Sequence, residues 1–288
     1  MMSNIEQELL SYLPKVENEN IQKLVSAMEY SLMAGGKRVR PMLVLEFAKL
    51  CGGSEEAAMP FACAIEMIHT YSLIHDDLPC MDNDDLRRGK PTNHKVYGEA
   101  TALLAGNGLL TLAFETALSA KAIELNGYEK CAQAAKVLAL YAGANGMLGG
   151  QMIDLESEGK SVSVDHLKEM DNKKTGALMI AACKLGCISA GATKEQLDAA
   201  CSYADNIGLA FQIIDDILDI TSSTETLGKP VGSDDENEKS TYAALLGIEE
   251  CKKLSAELTE NAVNALDIFE NDTEKLRNFA YYLLNRKK

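Results

Sequence analysis

The chain has 288 residues, with 43 Asp plus Glu against 28 Lys plus Arg, a net charge of −15, and is 47% hydrophobic and 25% charged. That balance excludes a disordered chain and argues against a nucleic-acid backbone or anionic lipid as partner, since both need a basic footprint. No segment reads as a membrane-spanning helix: the longest uncharged stretch, Val137 to Ile153, is broken by Gly143, Asn145, Gly146, Gly149, Gly150 and Gln151.

The N-terminal residues are acidic and lack the pattern of a signal or transit peptide, so a cytoplasmic protein is expected. Eight cysteines without a CxxC read as reduced thiols used as small core hydrophobes; Cys183 and Cys187, at i, i+4, are a weak zinc signal.

In chain order, helical periodicity predicts helices near 4–12, 19–34, 41–51, 55–77, 95–125, 129–154, 165–189, 194–221, 241–268 and 273–286, with no strands. Pro41 suits a helix first turn, and Gly52-Gly53 a helix end. Thr193 and Gln196 have the spacing of a capping box. Asp272 suits an N-cap. Thr221 to Ser240, with Gly228, Pro230 and Gly232, reads as a loop. Gly inside a helix costs up to about 1 kcal/mol relative to Ala, so the small residues at 142–150 imply close approach of another segment or a ligand. The expected architecture is all-α: one domain over residues 1–288, about ten helices around one core.

Two aspartate clusters stand in apolar surroundings. The first is Asp76-Asp77-Leu78-Pro79-Cys80-Met81-Asp82, followed by Asn83-Asp84-Asp85-Leu86-Arg87-Arg88-Gly89. The second is Asp215-Asp216-Ile217-Leu218-Asp219. Asp215 and Asp219 share a helix face. Pro79 should end the first helix soon after Asp77, leaving the cluster where the helix dipole opposes negative charge. Oxygen-only ligands so close together call for a hard cation, Mg²⁺ or Mn²⁺, which typically brings phosphate oxygens with it. Basic groups flank the clusters in Gly35-Gly36-Lys37-Arg38-Val39-Arg40-Pro41, in Arg87-Arg88, in Lys173-Lys174-Thr175-Gly176, and at Lys229 and Lys239. Arg offers bidentate contact to phosphate and Lys a point charge. Acidic and basic sets together imply diphosphate held partly through metal and partly directly.

With GGKRVRP, HTYSLIHDDLPCMDNDDLRRGKPT, GGQMIDL, KKTG, FQIIDDILD and LGKP…EKSTY in this order, the sequence resembles the trans-prenyl diphosphate synthases over most of its length. Class I terpene cyclases share one such aspartate motif but usually replace the second, here DDILD, with an Asn/Ser/Glu-type metal motif. A non-catalytic helical partner subunit would have lost one cluster. The resemblance implies head-to-tail condensation of isopentenyl diphosphate onto an allylic diphosphate by an isoprenoid-synthase bundle that forms a homodimer. On this chain it implies that Asp76, Asp77, Asp82, Asp215, Asp216 and Asp219 hold about three Mg²⁺ ions. Arg87, Lys174 and Lys229, with Lys239 a weaker candidate, would bind the allylic diphosphate. Lys37, Arg40, His69 and Arg88 would bind isopentenyl diphosphate. Thr175 and Gln212 would face the reacting carbons. Asp84 and Asp85 would orient the arginines; His75 would support the cluster, and His94 and His166 would be surface or core.

Tyr71, five residues before Asp76, sits about 7.5 Å deeper along the helix axis. An aromatic there closes the pocket for the growing chain, whereas Ser72 beside it would not. That resembles the bacterial type of farnesyl diphosphate synthase and predicts a C15 product from dimethylallyl and geranyl diphosphates. The surrounding stretch also resembles plant-type geranylgeranyl synthases, which makes C20 the alternative.

Overall fold

A computed structural model describes residues 2–221 and 240–286, with the side chains of the first two left aside. The calls on Lys229, Lys239 and most of the 221–240 segment lie outside the described residues. The helices, in order, are α1 (Met2–Tyr12), α2 (Glu19–Leu32), α3 (Val39–Leu50), α4 (Glu55–Asp76), α5 (Asn93–Tyr97), α6 (Glu99–Ala117), α7 (Ala120–Ala142), α8 (Met147–Ser157), α9 (Val164–Asp171), α10 (Ala177–Ala190), α11 (Lys194–Thr221), α12 (Tyr242–Leu246), α13 (Ile248–Ala265) and α14 (Glu274–Leu284). A π-helical turn at Asn172–Gly176 joins α9 to α10, and a 3₁₀ turn at Leu266–Ile268 follows α13.

The architecture is all-α, as expected, with fourteen α-helices among the described residues where about ten were predicted. The difference lies at breaks that periodicity does not see. Ser119 caps a new helix by accepting from Ala122 N at 3.2 Å, so the run predicted over 95–125 is divided. The break expected after residue 125 is instead a kink at Gly127 (φ 76°) within α7. Gly143 to Gly146 separate α7 from α8, and Gly98 (φ 85°) and Gly247 (φ 81°) separate two further pairs. A two-residue antiparallel ribbon, β1 (Leu86–Arg87) with β2 (Lys90–Pro91), also stands where no strand was expected. The predicted capping box is present: Thr193 N donates to Gln196 Oε1 at 3.0 Å, and Gln196 N to Thr193 Oγ1 at 3.2 Å. Asp272 accepts from Glu274 N at 2.8 Å, but the N-cap of α14 is Thr273, one residue later than expected.

Helix α4 is the centre. Ser54 starts it by accepting from Ala57 N at 3.1 Å. Phe61, Ile65, Met67 and Ile68 are fully buried on it, each contributing roughly 1.5–3 kcal/mol of transfer free energy. It packs against α3, α6, α7 and α10. By length and composition it is the one continuous helix among the described residues that could cross a membrane, which corrects the sequence reading. Its apolar surface is covered by those four neighbours, with 78% of the apolar window buried. Thiols are free throughout. Cys51 Sγ and Cys187 Sγ lie 3.8 Å apart, and among the described residues no metal-holding group of His, Cys, Asp or Glu exists.

Candidate active site

The first aspartate cluster follows from how α4 ends. Pro79 disfavours helix at the residue before it, and α4 stops at Asp76. The chain doubles back so that Asp82 N donates to Asp76 O at 2.9 Å. Asp77 is buried and accepts from Arg87 Nε at 2.5 Å, while Asp84 lies 3.4 Å from Arg87 Nη2. Asp85 pairs with Lys95 at 2.7 Å rather than with an arginine. This corrects the expectation for Asp85, because the ribbon turns its side chain toward α5. Burial raises the pKa of Asp76 and Asp77, with Asp77 reaching about 6 despite Arg87. Burial thus outweighs the neighbouring cations, and the ionised carboxylates are incompletely compensated.

Beside this cluster the Gly35-Gly36 loop meets the ribbon. Arg88 (φ 55°) donates to Gly35 O. A Cβ on Gly36 (φ 121°) would lie 2.6 Å from Arg88 Cζ, so only glycine seats that guanidinium. Arg38 is structural: it is buried, and it donates to Glu66 at 2.6 Å and to Leu32 O at 2.6 Å. Holding Arg38 inward (φ 48°) leaves Lys37 exposed on one side and places Arg40 at the cavity on the other. Burial lowers the Arg40 pKa to about 10, so it remains a cation. Burial and then Arg40, Arg88, Arg87 and Arg38 push His69 well below its ordinary value, so it is neutral near pH 7. Arg40, His69 and Arg88, three of the four residues expected at one diphosphate, thus share one neighbourhood, while Lys37 is exposed.

The π-turn carries Lys174 and Thr175. A Cβ on Gly150 would lie 2.1 Å from Lys174 N, so the small residues of α8 serve close approach of this turn. Lys174 and Thr175 line two cavities. One, of 340 Å³, is lined also by Arg40, His69, Tyr71, Ser72 and Asp76. The other, of 160 Å³, is lined also by Asp154, Asp171, Gln212 and Asp216. Lys174 Nζ donates to Asp154 at 2.6 Å. Burial opposes its charge, but Asp154, Asp76 and Asp82 together raise its pKa above the ordinary value.

The second cluster lies on the body of α11, and its partners come from the far end of the chain. Arg286 Nη2 donates to Asp215 at 2.5 Å and stacks over Phe211, 4.0 Å from the ring centroid. Asp216 accepts from Tyr242 N at 2.7 Å. Asp219 is buried, and its Oδ1 has no hydrogen-bond partner.

These carboxylates fit a hard divalent ion in donor chemistry, in uncompensated burial and in the orphaned Asp219 oxygen. Among the described residues they are not gathered as a ready metal site, since Arg87, Arg286 and Tyr242 N hold three of them. Sequence reasoning missed Asp154, Asp171, Gln151, Tyr242 and Arg286. A lone acid at the end of an apolar helix was the available signal for Asp154, whereas nothing local marks Arg286. His94 and His166 are structural, hydrogen-bonded to Thr92 and Ser157.

Comparison with known proteins gives the family. Residues 21–280 match the polyprenyl synthetase family model. The chain is 48% identical to the farnesyl diphosphate synthase of Bacillus subtilis over 257 residues, covering 89% of this chain and 86% of that one. It is 47% identical to the heterodimeric geranylgeranyl pyrophosphate synthase large subunit 1 of Arabidopsis thaliana over 253 residues, covering 87% and 68% respectively. The crystal structure of an FPP/GFPP synthase from Zymomonas mobilis superimposes with a TM-score of 0.87 at 38% identity, covering 98% of this chain and 95% of that one. The chain belongs to the polyprenyl synthetase family of prenyltransferases.

Proposed function

We propose that the protein condenses isopentenyl diphosphate head to tail with dimethylallyl and then geranyl diphosphate, giving farnesyl diphosphate. The observation that carries this reading is the π-turn. Lys174 and Thr175 line one cavity with Asp76 and another with Asp216, so one short segment serves both acidic clusters. Mg²⁺ held by Asp76, Asp77, Asp82, Asp215, Asp216 and Asp219 would supply the charge that makes diphosphate a competent leaving group.

Arg87 and Lys174, with Lys229 and Lys239 as further candidates, bind the allylic diphosphate and stabilise negative charge as the C1–O bond breaks. Lys37, Arg40, Arg88 and neutral His69 bind isopentenyl diphosphate. Its double bond attacks the allylic carbon to form the new C–C bond, and loss of a proton to the released diphosphate restores a double bond. Thr175 and Gln212 present dipoles that stabilise the cation without capturing it. The apolar lining from Met81, Met147 and Leu148 keeps water from it.

Tyr71 favours C15 because its buried ring lines the cavity below Asp76. The matches to plant geranylgeranyl synthases support C20 as the second reading. Incubation with dimethylallyl and isopentenyl diphosphates plus Mg²⁺, followed by chromatography of the dephosphorylated products, is expected to give farnesol. Geranylgeraniol as the main product overturns the C15 reading, and absence of elongation by folded protein overturns both.

A homodimer fits the half-exposed Leu103 and Leu104 on α6, Leu140 on α7, and Leu148 and Met152 on α8. Sedimentation velocity is expected to give twice the chain mass; a monomer refutes it.

A further inference from the structure

Tyr71 does not stand alone at the bottom of its cavity. His75 lies one turn further along α4, and the two rings meet edge to face with centroids 5.6 Å apart at 74°. His75 Nε2 donates across to Leu103 O of α6 at 3.1 Å, which makes Nε2 the protonated nitrogen. The imidazole occupies the space of a missing side chain. A Cβ on Gly106 would lie 2.1 Å from His75 Nε2 and 2.4 Å from Cδ2. The ring is thus held on three sides: by a backbone carbonyl, by a glycine notch and by the face or edge of Tyr71.

We propose that His75, latched into the Gly106 notch of α6, is a specificity-determining residue that fixes product length by holding the Tyr71 ring across the pocket. This rests on the reading that Tyr71 closes the pocket. Side chains four apart on a helix lie on the same face, and edge-to-face pairs prefer one geometry. Tyr71 and His75 therefore line the same cavity side by side, His75 toward α6, with Met147, Leu148 and Gln151 also in its wall. Without the imidazole a void opens beside Tyr71 on the α6 side, the phenol can turn into it, and the ring no longer closes the way past it. With a methyl group in the notch, the imidazole must leave α6 and crowd Tyr71 and the cavity. Two substitutions on different helices should then shift product length in opposite directions, which a merely structural role for His75 would not produce.

The test compares His75→Ala, Gly106→Ala, Tyr71→Ala and the double variant Tyr71→Ala/His75→Ala by product chromatography, with circular dichroism melts to establish folding. His75→Ala is expected to raise the C20 to C15 ratio about tenfold, at the low end of what a methylene-sized change in a pocket discriminates. Gly106→Ala should lower that ratio and favour C10 release. In the Tyr71→Ala background His75→Ala should add nothing, because the latch acts through Tyr71. His75→Leu, which fills the space but cannot donate to Leu103 O, serves if the alanine variant does not fold; it is expected to lengthen product less than alanine would. Lengthening by Tyr71→Ala with none from His75→Ala or His75→Leu overturns the latch and leaves the Tyr71 reading standing. An additive double variant also overturns the latch. Unchanged length in Tyr71→Ala overturns the reading itself and the latch with it.

Discussion

The two aspartate clusters have nearly the same sequence and are built in different ways. The first is local: a proline ends α4, a turn returns Asp82 to Asp76, and Arg87, ten residues after Asp77, supplies the counter-charge. The second stands on an unbroken stretch of α11, and its partners, Tyr242 and Arg286, come from later helices and the C-terminal segment. The same donor chemistry can thus be positioned either by a helix terminus or by packing of distant segments. The first cluster inherits its geometry from chain connectivity. The second depends on α12 to α14 being docked.

The largest expected effect puts the clusters on an equal footing. Asp76→Ala and Asp215→Ala should each lower kcat by on the order of 10³, the scale of losing a preorganised charge-stabilising group, with the fold retained in both and some melting temperature lost in Asp215→Ala, which unpairs Arg286. Steady-state kinetics check this; a mild loss in either variant breaks the equivalence. A smaller effect sharpens the contrast. Arg286→Ala removes a competitor for Asp215, so the Mg²⁺ concentration giving half-maximal rate should fall while α14 loses an anchor and stability drops by about 1–3 kcal/mol. Denaturation and Mg²⁺ titration of one variant read both; no change in the Mg²⁺ midpoint would show that Arg286 does not compete for the cluster.

The smallest effect concerns Asp171, between the clusters beside Tyr242 and Lys174. Burial raises its pKa to about 7, partly offset by Tyr242. The folded protein holds this proton over a range where the unfolded chain, near pH 4, has lost it. Its contribution to stability is therefore full below pH 4 and is lost as pH rises through 7. In metal-free protein Asp171→Asn should gain melting temperature relative to the parent at pH 8 and not at pH 5. Parallel melting profiles across that range would contradict a buried, titrating carboxyl.

Much of this was legible in sequence because it is local. Thr193 and Asp272 announce helix starts through hydrogen bonds within three residues, and Pro79 announces the end of α4. The paired aspartates were legible as well, because like charges in apolar surroundings need a counter-ion whatever the fold. The breaks at Ser119 and Gly143 were not, since apolar periodicity continues across them. Asp85 was misjudged because an unforeseen ribbon turned it toward Lys95.

By itself, then, the sequence determined the helical class, the element ends marked by caps and prolines, and the chemistry of the acidic and basic sets. These follow from periodicity, side-chain reach and charge within a turn or two. Only the tertiary structure decided which cation meets which carboxylate, that Arg38 is a clamp while Arg40 faces the cavity, and that Gly150 admits the Lys174 backbone. It also decided that Gly106 receives His75. Those outcomes depend on how closely two helices approach, a distance set by packing of residues far apart in the chain.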